Sequence, residues 1–200
     1  QSDLSTAMGM GAHFCGFVFH PKSPRYIAPE RAAALDSALI RRVGVFVNQD
    51  AEQIMDIMKT ARLEFAQLHG NQSLDCARRI GAGKVIRVLW PDSYDSLDAM
   101  QREMDLWADS CSWFLLDAGR QGGGHGTALD WKALASLQAP RPWFLAGGLS
   151  SASLNRALEQ CTPNGIDLNS GVEAIPGQKS PQKLLAALKP LISYTPYHIA

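Results

Sequence analysis

The sequence has 200 residues, of which 46% are hydrophobic, so it can bury one sizeable core, and we expect a single domain over residues 1–200. Lysine plus arginine and aspartate plus glutamate each number 19, which gives a formal net charge of zero, and the charges are scattered along the chain. This balance argues against nucleic-acid binding and against a polybasic membrane surface, and it favours a small-molecule partner.

The cysteines indicate a reducing compartment. Cys15, Cys76, Cys111 and Cys161 show neither CxxC spacing nor the density of a secreted disulfide scaffold. The sequence has no run of about 18 apolar residues and no signal-peptide pattern. We therefore expect reduced thiols, a cytoplasmic location and no membrane segment.

Apolar runs and helical periodicities alternate through the first half of the chain. Pro29 suits the first turn of a helix, and Asn48 or Asp50 is a plausible cap for the helix that carries Ile54 and Met58 on one face. In chain order the pattern predicts strands over 14–19, 43–47, 65–68 and 85–89, and helices over 29–40, 51–60, 73–80 and 94–108.

The same alternation continues in the second half. A strand over 113–116 ends in Asp117 and is followed by the glycine-rich loop RQGGGHGTALD, which we interpret as a flexible lid. Further strands are predicted over 143–146 and 166–169, and helices over 131–137, 153–159 and 181–191.

This order of seven strands, each followed by a helix, predicts a parallel sheet covered by helices. An open doubly wound sheet is one possibility, but GGGHG is not a GxGxxG motif that opens a helix, and GxxxxGK[ST] is missing from the sequence. We therefore predict an α/β protein of the (β/α)8 TIM-barrel class, with seven of the eight strands visible in the sequence.

Two stretches predict a phosphate site, WFLAGGL at 143–149 and GIDLNSGVEAIPG at 165–177. Gly147 and Gly148 can bring bare N–H groups close to an anion, and Ser170 with Gly171 can open a short helix that faces the same anion. A (β/α)8 barrel builds such a site after its last two strands. The alternative is that the two glycines only form a tight turn.

Polar residues at strand ends are candidates for catalysis, because barrel active sites lie at the carboxyl ends of the strands. Asp117 directly follows an apolar strand, and partial burial there would raise its pKa, as a general acid requires. The alternative is a carboxylate that caps the following loop.

Other strand ends supply candidate ligands. Arg25 offers a bidentate fork for a carboxylate or phosphate, or it is a solvated loop arginine. His69 either donates to a substrate or is structural, and Asp167 either points into the site or bonds a neighbouring loop. The histidines lack the spaced pairs of zinc sites, so we expect no metal.

Several segments together resemble the phosphoribosylanthranilate isomerase family of tryptophan biosynthesis, and the resemblance covers nearly the whole chain. They are GFVFHPKSPRYI, RVGVFVN, AQLHGN, FLLDAGRQGGGHGTALDW, FLAGGL and IDLNSGVEAIPGQK. The resemblance implies a cofactor-free Amadori rearrangement of N-(5-phosphoribosyl)anthranilate into 1-(2-carboxyphenylamino)-1-deoxyribulose 5-phosphate.

The resemblance also implies roles for individual residues. Asp117 would be the general acid that protonates the furanose ring oxygen, and Arg25 would hold the anthranilate carboxylate. Asp167 would lie near the sugar hydroxyls. The phosphate would be bound by Gly147, Gly148, Ser170 and Gly171.

One family feature has no match. The family pattern K-[IV]-C-G-[IML]-T, whose cysteine is the general base, is missing from the sequence, and Gln1 aligns just after it. Cys15 is not expected to replace that base, because it lies near the start of its strand. We expect the native protein to have a further N-terminal strand that carries the cysteine, so that residues 1–200 are an N-terminally incomplete barrel.

Alternative functions belong to other phosphate-binding barrels. A histidine-pathway isomerase would show similarity between its two half-barrels, which we do not find in the sequence. A sugar-phosphate epimerase would need a set of metal-binding histidines at strand ends, which the sequence lacks. A non-catalytic degenerate barrel would be consistent with the missing cysteine. In each case the protein would be a monomer or a homodimer.

Overall fold

A computed structural model of the chain describes residues 1–37, 40–117, 130–192 and 194. These residues form two compact units: the first comprises residues 1–88 and 109–112, and the second comprises 89–108 and 113–200. The prediction of a single domain stays a prediction. In the described residues, no helix is long and apolar enough to cross a membrane.

The first unit contains four parallel strands separated by helices. The pairing runs from β1 to β2, from β2 to β3 and from β3 to β4, so neighbours in the chain are neighbours in the sheet. The elements are α1 (Ser2–Gly9), β1 (Phe14–Val18), α2 (Pro29–Ala33), β2 (Arg41–Phe46), α3 (Ala51–Thr60), β3 (Phe65–Leu68), α4 (Leu74–Ile80) and β4 (Val85–Leu89), whose last residue is assigned to the second unit.

The second unit contains three more parallel strands and an antiparallel hairpin. β5 pairs with β6, β6 pairs with β7, and β8 pairs with β9 in the hairpin. The elements are α5 (Leu97–Trp107), β5 (Trp113–Leu116), α6 (Trp131–Leu134), β6 (Trp143–Leu145), α7 (Ser151–Gln160), β7 (Gly165–Ile166), β8 (Glu173–Ile175), β9 (Gln178–Lys179) and α8 (Pro181–Ile192).

The start of α3 shows how the sequence sets a helix boundary. Asp50 is its N-cap: the Asp50 side chain accepts from the Gln53 backbone N–H at 2.9 Å, and the Gln53 side chain accepts from the Asp50 N–H at 3.1 Å. This reciprocal capping box satisfies two N–H groups that the helix itself cannot bond. Of the two predicted caps, Asp50 is therefore the one used, and Ile54 and Met58 are buried as predicted.

Arg42 of β2 joins the ends of two helices. It is buried, and its guanidinium donates to the carbonyl oxygens of Ala32 and Leu35, near the end of α2, and to that of Ala61, directly after α3. A fourth acceptor is the Ser37 hydroxyl, at 2.9 Å. The last carbonyls of a helix lack partners within it, so one side chain caps both helices. Burial lowers the pKa of Arg42.

Several predicted boundaries are wrong in detail. The helix predicted over 29–40 ends at Ala33, and Arg42 donates to the carbonyl oxygens of Ala32, in its last turn, and of Leu35, just beyond it. The helix predicted over 131–137 ends at Leu134, and the strand predicted over 166–169 is the two-residue β7, Gly165–Ile166. The hairpin of β8 and β9 was not predicted. Residues 118–129, which include most of the glycine-rich loop, lie outside the described residues.

Candidate active site

The carboxyl ends of β5, β6 and β7 bring Asp117, Ala146 and Asp167 to one level of the sheet. Leu116 is opposite Leu145, and Leu145 is opposite Ile166, so these three residues come one step later on adjacent strands. Two hydrogen bonds continue the ladder at this step, from the Ala146 N–H to the Leu116 oxygen at 2.8 Å and from the Asp167 N–H to the Leu145 oxygen at 2.9 Å.

Residues at the same level of adjacent parallel strands point to the same face of a sheet. The carboxylates of Asp117 and Asp167 therefore lie on one face, separated by the short side chain of Ala146. With neighbouring strands about 4.8 Å apart, their backbones are roughly 10 Å apart. Both aspartates are half-buried. Ala146, between them, is buried and carries only a methyl group.

The turn after β6 exposes backbone rather than side chains. Gly147 and Gly148 have φ angles of 94° and 65°, in the left-handed region that favours glycine. Leu149 is buried directly after them, and Ser150 is the N-cap of α7, where it forms a capping box with Ser153. The buried Leu149 and the capped start of α7 thus anchor this turn. Because both turn residues are glycines, neither has a side chain that could cover its N–H group.

A second turn follows β7 and packs against the first. The predicted short helix is a single 3₁₀ turn, Ser170–Val172, whose Val172 is fully buried. A Cβ atom on Gly171 would lie 2.0 Å from the Leu149 carbonyl oxygen, so only glycine fits this approach. The structure therefore brings together the four residues of the predicted phosphate site, Gly147, Gly148, Ser170 and Gly171.

Arg25 lies in the first unit, in the loop that follows β1. This loop returns to its own strand: Tyr26 forms a parallel bridge with Val18, and the Ile27 N–H donates to the Val18 oxygen at 3.1 Å. The Arg25 N–H donates to the Ser23 hydroxyl at 3.1 Å, and the residue is half-buried. Arg25 is thus held beside the carboxyl end of β1.

His69 is the first residue after β3, and its N–H donates to the Phe46 oxygen at 2.8 Å. Its ring Nδ1 is 3.3 Å from the side-chain nitrogen of Gln67, a buried residue two positions earlier on the same face. The two side chains are thus within hydrogen-bonding distance of each other, and which ring nitrogen of His69 carries the proton sets the direction of the bond. Gln67 was not among the residues predicted from the sequence, although side chains two residues apart on a strand share a face.

The cysteines of the described residues have no partner cysteine. Cys15 is the second residue of β1 and is opposite Arg42, so it lies at the amino end of its strand, on the face that packs on α2 and α3. Burial raises the pKa of Cys161 to about 11, and its thiol donates to the Ala157 oxygen at 3.3 Å. Within the described ranges, no group of three His, Cys, Asp or Glu residues is arranged to hold a metal ion.

Comparisons with known proteins agree with this arrangement. The family model described as "N-(5'phosphoribosyl)anthranilate (PRA) isomerase" matches residues 1–189. An N-(5'-phosphoribosyl)anthranilate isomerase of Desulfovibrio desulfuricans is 54% identical over 188 residues, which are 94% of this chain and 89% of that protein.

Solved structures show the same similarity. The crystal structure of phosphoribosyl anthranilate isomerase from Thermotoga maritima matches with a TM-score of 0.84 at 31% identity, over 96% of this chain and 94% of that one. A phosphoribosyl anthranilate isomerase in complex with reduced 1-(o-carboxyphenylamino)-1-deoxyribulose 5-phosphate matches with a TM-score of 0.80 at 30% identity, with the same coverage. The predicted fold class, a (β/α)8 barrel with seven visible strands, is confirmed by these matches and by the parallel β/α order.

Proposed function

The chain belongs to the phosphoribosylanthranilate isomerase family, and from this premise we propose how its residues carry out the reaction. It is an isomerase of tryptophan biosynthesis, which converts N-(5-phosphoribosyl)anthranilate into 1-(2-carboxyphenylamino)-1-deoxyribulose 5-phosphate. The observation that carries the assignment of residues is the alignment of Asp117, Ala146 and Asp167 beside two glycine-containing turns.

Asp117 is the general acid of our proposal. It gives its proton to the furanose ring oxygen as the C1′–O bond breaks, and the anthranilate nitrogen lone pair forms the C1′=N bond of a protonated Schiff base. Its half-buried position at the end of an apolar strand supports this role, because reduced solvation favours a protonated carboxyl group. Asp167, on the same face, accepts hydrogen bonds from the sugar hydroxyls.

The two ends of the substrate carry different anions, and the proposal assigns them to different groups. The N–H groups of Gly147, Gly148, Ser170 and Gly171 bind the phosphate, because exposed backbone N–H groups are suited to phosphate oxygens. Arg25 holds the anthranilate carboxylate with a charge-assisted, bidentate hydrogen bond. His69 donates from a ring nitrogen to a substrate oxygen.

The second half of the reaction needs a base that takes the C2′ proton, so that the electron pair of the C–H bond forms an enolamine, which then becomes the ketone. Cys15 does not fit this step: it lies at the amino end of β1, opposite the buried Arg42. We keep the family's cysteine base as the expected group. The rearrangement moves protons without net oxidation, so no redox cofactor is invoked. A cytoplasmic location and a monomeric or homodimeric state remain proposals.

Turnover of N-(5-phosphoribosyl)anthranilate, followed by the loss of its fluorescence, tests the assignment. The protein should convert the substrate, and Asp117→Asn should lower kcat by about 10²-fold or more with an unchanged fold. Asp95→Asn is the matched control, because it makes the same substitution at an exposed position of the same unit. Full kcat in Asp117→Asn would remove this residue from the mechanism.

A further inference from the structure

A lysine outside the proposed substrate contacts holds the turn after β7. The ammonium group of Lys179 on β9 donates to the Asn169 backbone oxygen at 3.1 Å, to the Asn169 side-chain oxygen at 2.8 Å and to the Glu173 carboxylate at 3.2 Å. An ammonium group has three N–H donors, and these three acceptors match that number. Lys179 is therefore engaged by the protein rather than directed at a ligand.

These acceptors lie at the two ends of one turn. Asn169 directly precedes Ser170–Val172, and Glu173 directly follows it. Lys179 thus connects the entrance of the turn with its exit. The Glu173 side chain is 5% exposed and that of Lys179 is 26% exposed, so water screens this ion pair less than it would screen a surface pair.

Other contacts, from the hairpin turn and from α8, also hold Glu173. Its carboxylate also accepts from the Gly177 N–H at 3.2 Å, and its backbone oxygen accepts from the Lys183 ammonium at 2.6 Å. The Ser180 N–H donates to the Val172 oxygen at 2.9 Å. The hairpin and the start of α8 therefore brace the exit of the turn at several points. At the entrance, the Asn169 side chain accepts from Lys179, and the Asn169 backbone oxygen accepts from Lys179 and from the Val172 N–H at 3.3 Å.

We propose that Lys179 is a positioning residue for the phosphate site, acting through Asn169 and Glu173 to hold Ser170 and Gly171 against the turn after β6. The inference rests on the proposed phosphate-binding role of that site. It follows from two observations: Gly171 packs closely against Leu149, and Lys179 bonds both residues that flank Ser170–Val172, so its loss would loosen the ends of the segment that makes this contact. Displacements of about 1 Å in a binding site are enough to cost as much as 10²-fold in activity.

The experiment compares Lys179→Met with Lys189→Met in the otherwise unchanged protein. Both variants remove one ammonium group from the second unit, but Lys189 is an exposed residue of α8. Calorimetric titration with inorganic phosphate and steady-state kinetics should show that Lys179→Met weakens phosphate binding and raises KM by about tenfold or more, while kcat changes by less than about twofold. Lys189→Met should leave all three values unchanged.

A double variant separates positioning from stability. Lys179→Met leaves a buried carboxylate without its ion-pair partner, which lowers stability. Glu173→Gln in the Lys179→Met background should recover the melting temperature but not phosphate affinity, because both hydrogen bonds from Lys179 to Asn169 stay lost. Recovery of both, or wild-type phosphate affinity in Lys179→Met, would overturn the proposal. The phosphate titration tests the role of Lys179 independently of turnover. If the wild-type protein failed to turn over the substrate, that result would count against the proposed function and not against the role of Lys179.

Discussion

Adding one methyl group at Gly171 should separate the two halves of the phosphate site. In Gly171→Ala the new Cβ would lie 2.0 Å from the Leu149 oxygen and 3.3 Å from the Ser150 nitrogen, both of which are backbone atoms. Ordinary contact begins at 3.4 Å, so along this line the two turns must move apart by about 1.4 Å, the difference between 3.4 and 2.0 Å.

A movement of this size exceeds about 1 Å, and a misplacement of about 1 Å can lower the activity of an enzyme site by as much as 10²-fold. We therefore expect Gly171→Ala to raise KM for the phosphorylated substrate by about 10²-fold and to weaken inorganic phosphate to a similar extent. The loss of folding stability should be smaller, about 1–3 kcal/mol, which is the usual cost of overpacking.

Steady-state kinetics and calorimetric titration with inorganic phosphate measure the effect, and thermal unfolding confirms that the variant is folded. Gly83→Ala is the control, because a Cβ atom at Gly83 would have nothing within 4 Å and the residue has no positive φ. Phosphate affinity in Gly171→Ala equal to that of Gly83→Ala would refute the assignment of this turn to the phosphate.

Three further outcomes follow from the structure. Arg25→Ala should weaken anthranilate-bearing ligands by about 1.5–3 kcal/mol without changing inorganic phosphate affinity, whereas equal loss of both in calorimetry would put Arg25 at the wrong end. Ala146→Leu should place a larger side chain between the two aspartates and raise KM by at least about tenfold, and an unchanged KM would show that substrate does not bind beside both of them. Cys161 keeps its proton in the folded state up to a pKa of about 11 against an ordinary value of 9.0, so the free energy of unfolding should fall as pH rises from 9 to 11. Cys161→Ala should lose this part of the slope in denaturant titrations at each pH.

The sequence was sufficient for features that depend on local pattern. The seven strands were predicted because each is a short apolar run followed by a helical period, and the two glycine turns because they follow such runs directly. The resemblance to a known family then connected these turns with a substrate. Asp117 and Asp167 were both candidates, but the part that Ala146 plays between them depends on register, which a single sequence does not show.

Features that depend on contacts between distant residues were missed. Lys179 lies in the quoted motif IDLNSGVEAIPGQK, but its role depends on a hairpin that places it beside Asn169, ten residues earlier. The end of α2 at Ala33 is joined in the same way to Arg42, a strand residue that donates to the carbonyl oxygens of Ala32 and Leu35. In both cases a cation captures backbone oxygens, and local propensity does not indicate which oxygens these will be.

The shared guanidinium of Arg42 also makes two consecutive βα repeats cooperative. If the end of α2 frayed, some N–H groups of the buried guanidinium would lose their acceptors while others stayed bonded to Ala61. Opening either helix end alone therefore costs free energy, because it leaves buried donors unbonded. The slowly exchanging amides at the ends of α2 and α3 should therefore exchange through the same opening event, with similar opening free energies. The acceptors lie within 19 residues of Arg42 in the chain, so this linkage closes only short loops and can form early in folding.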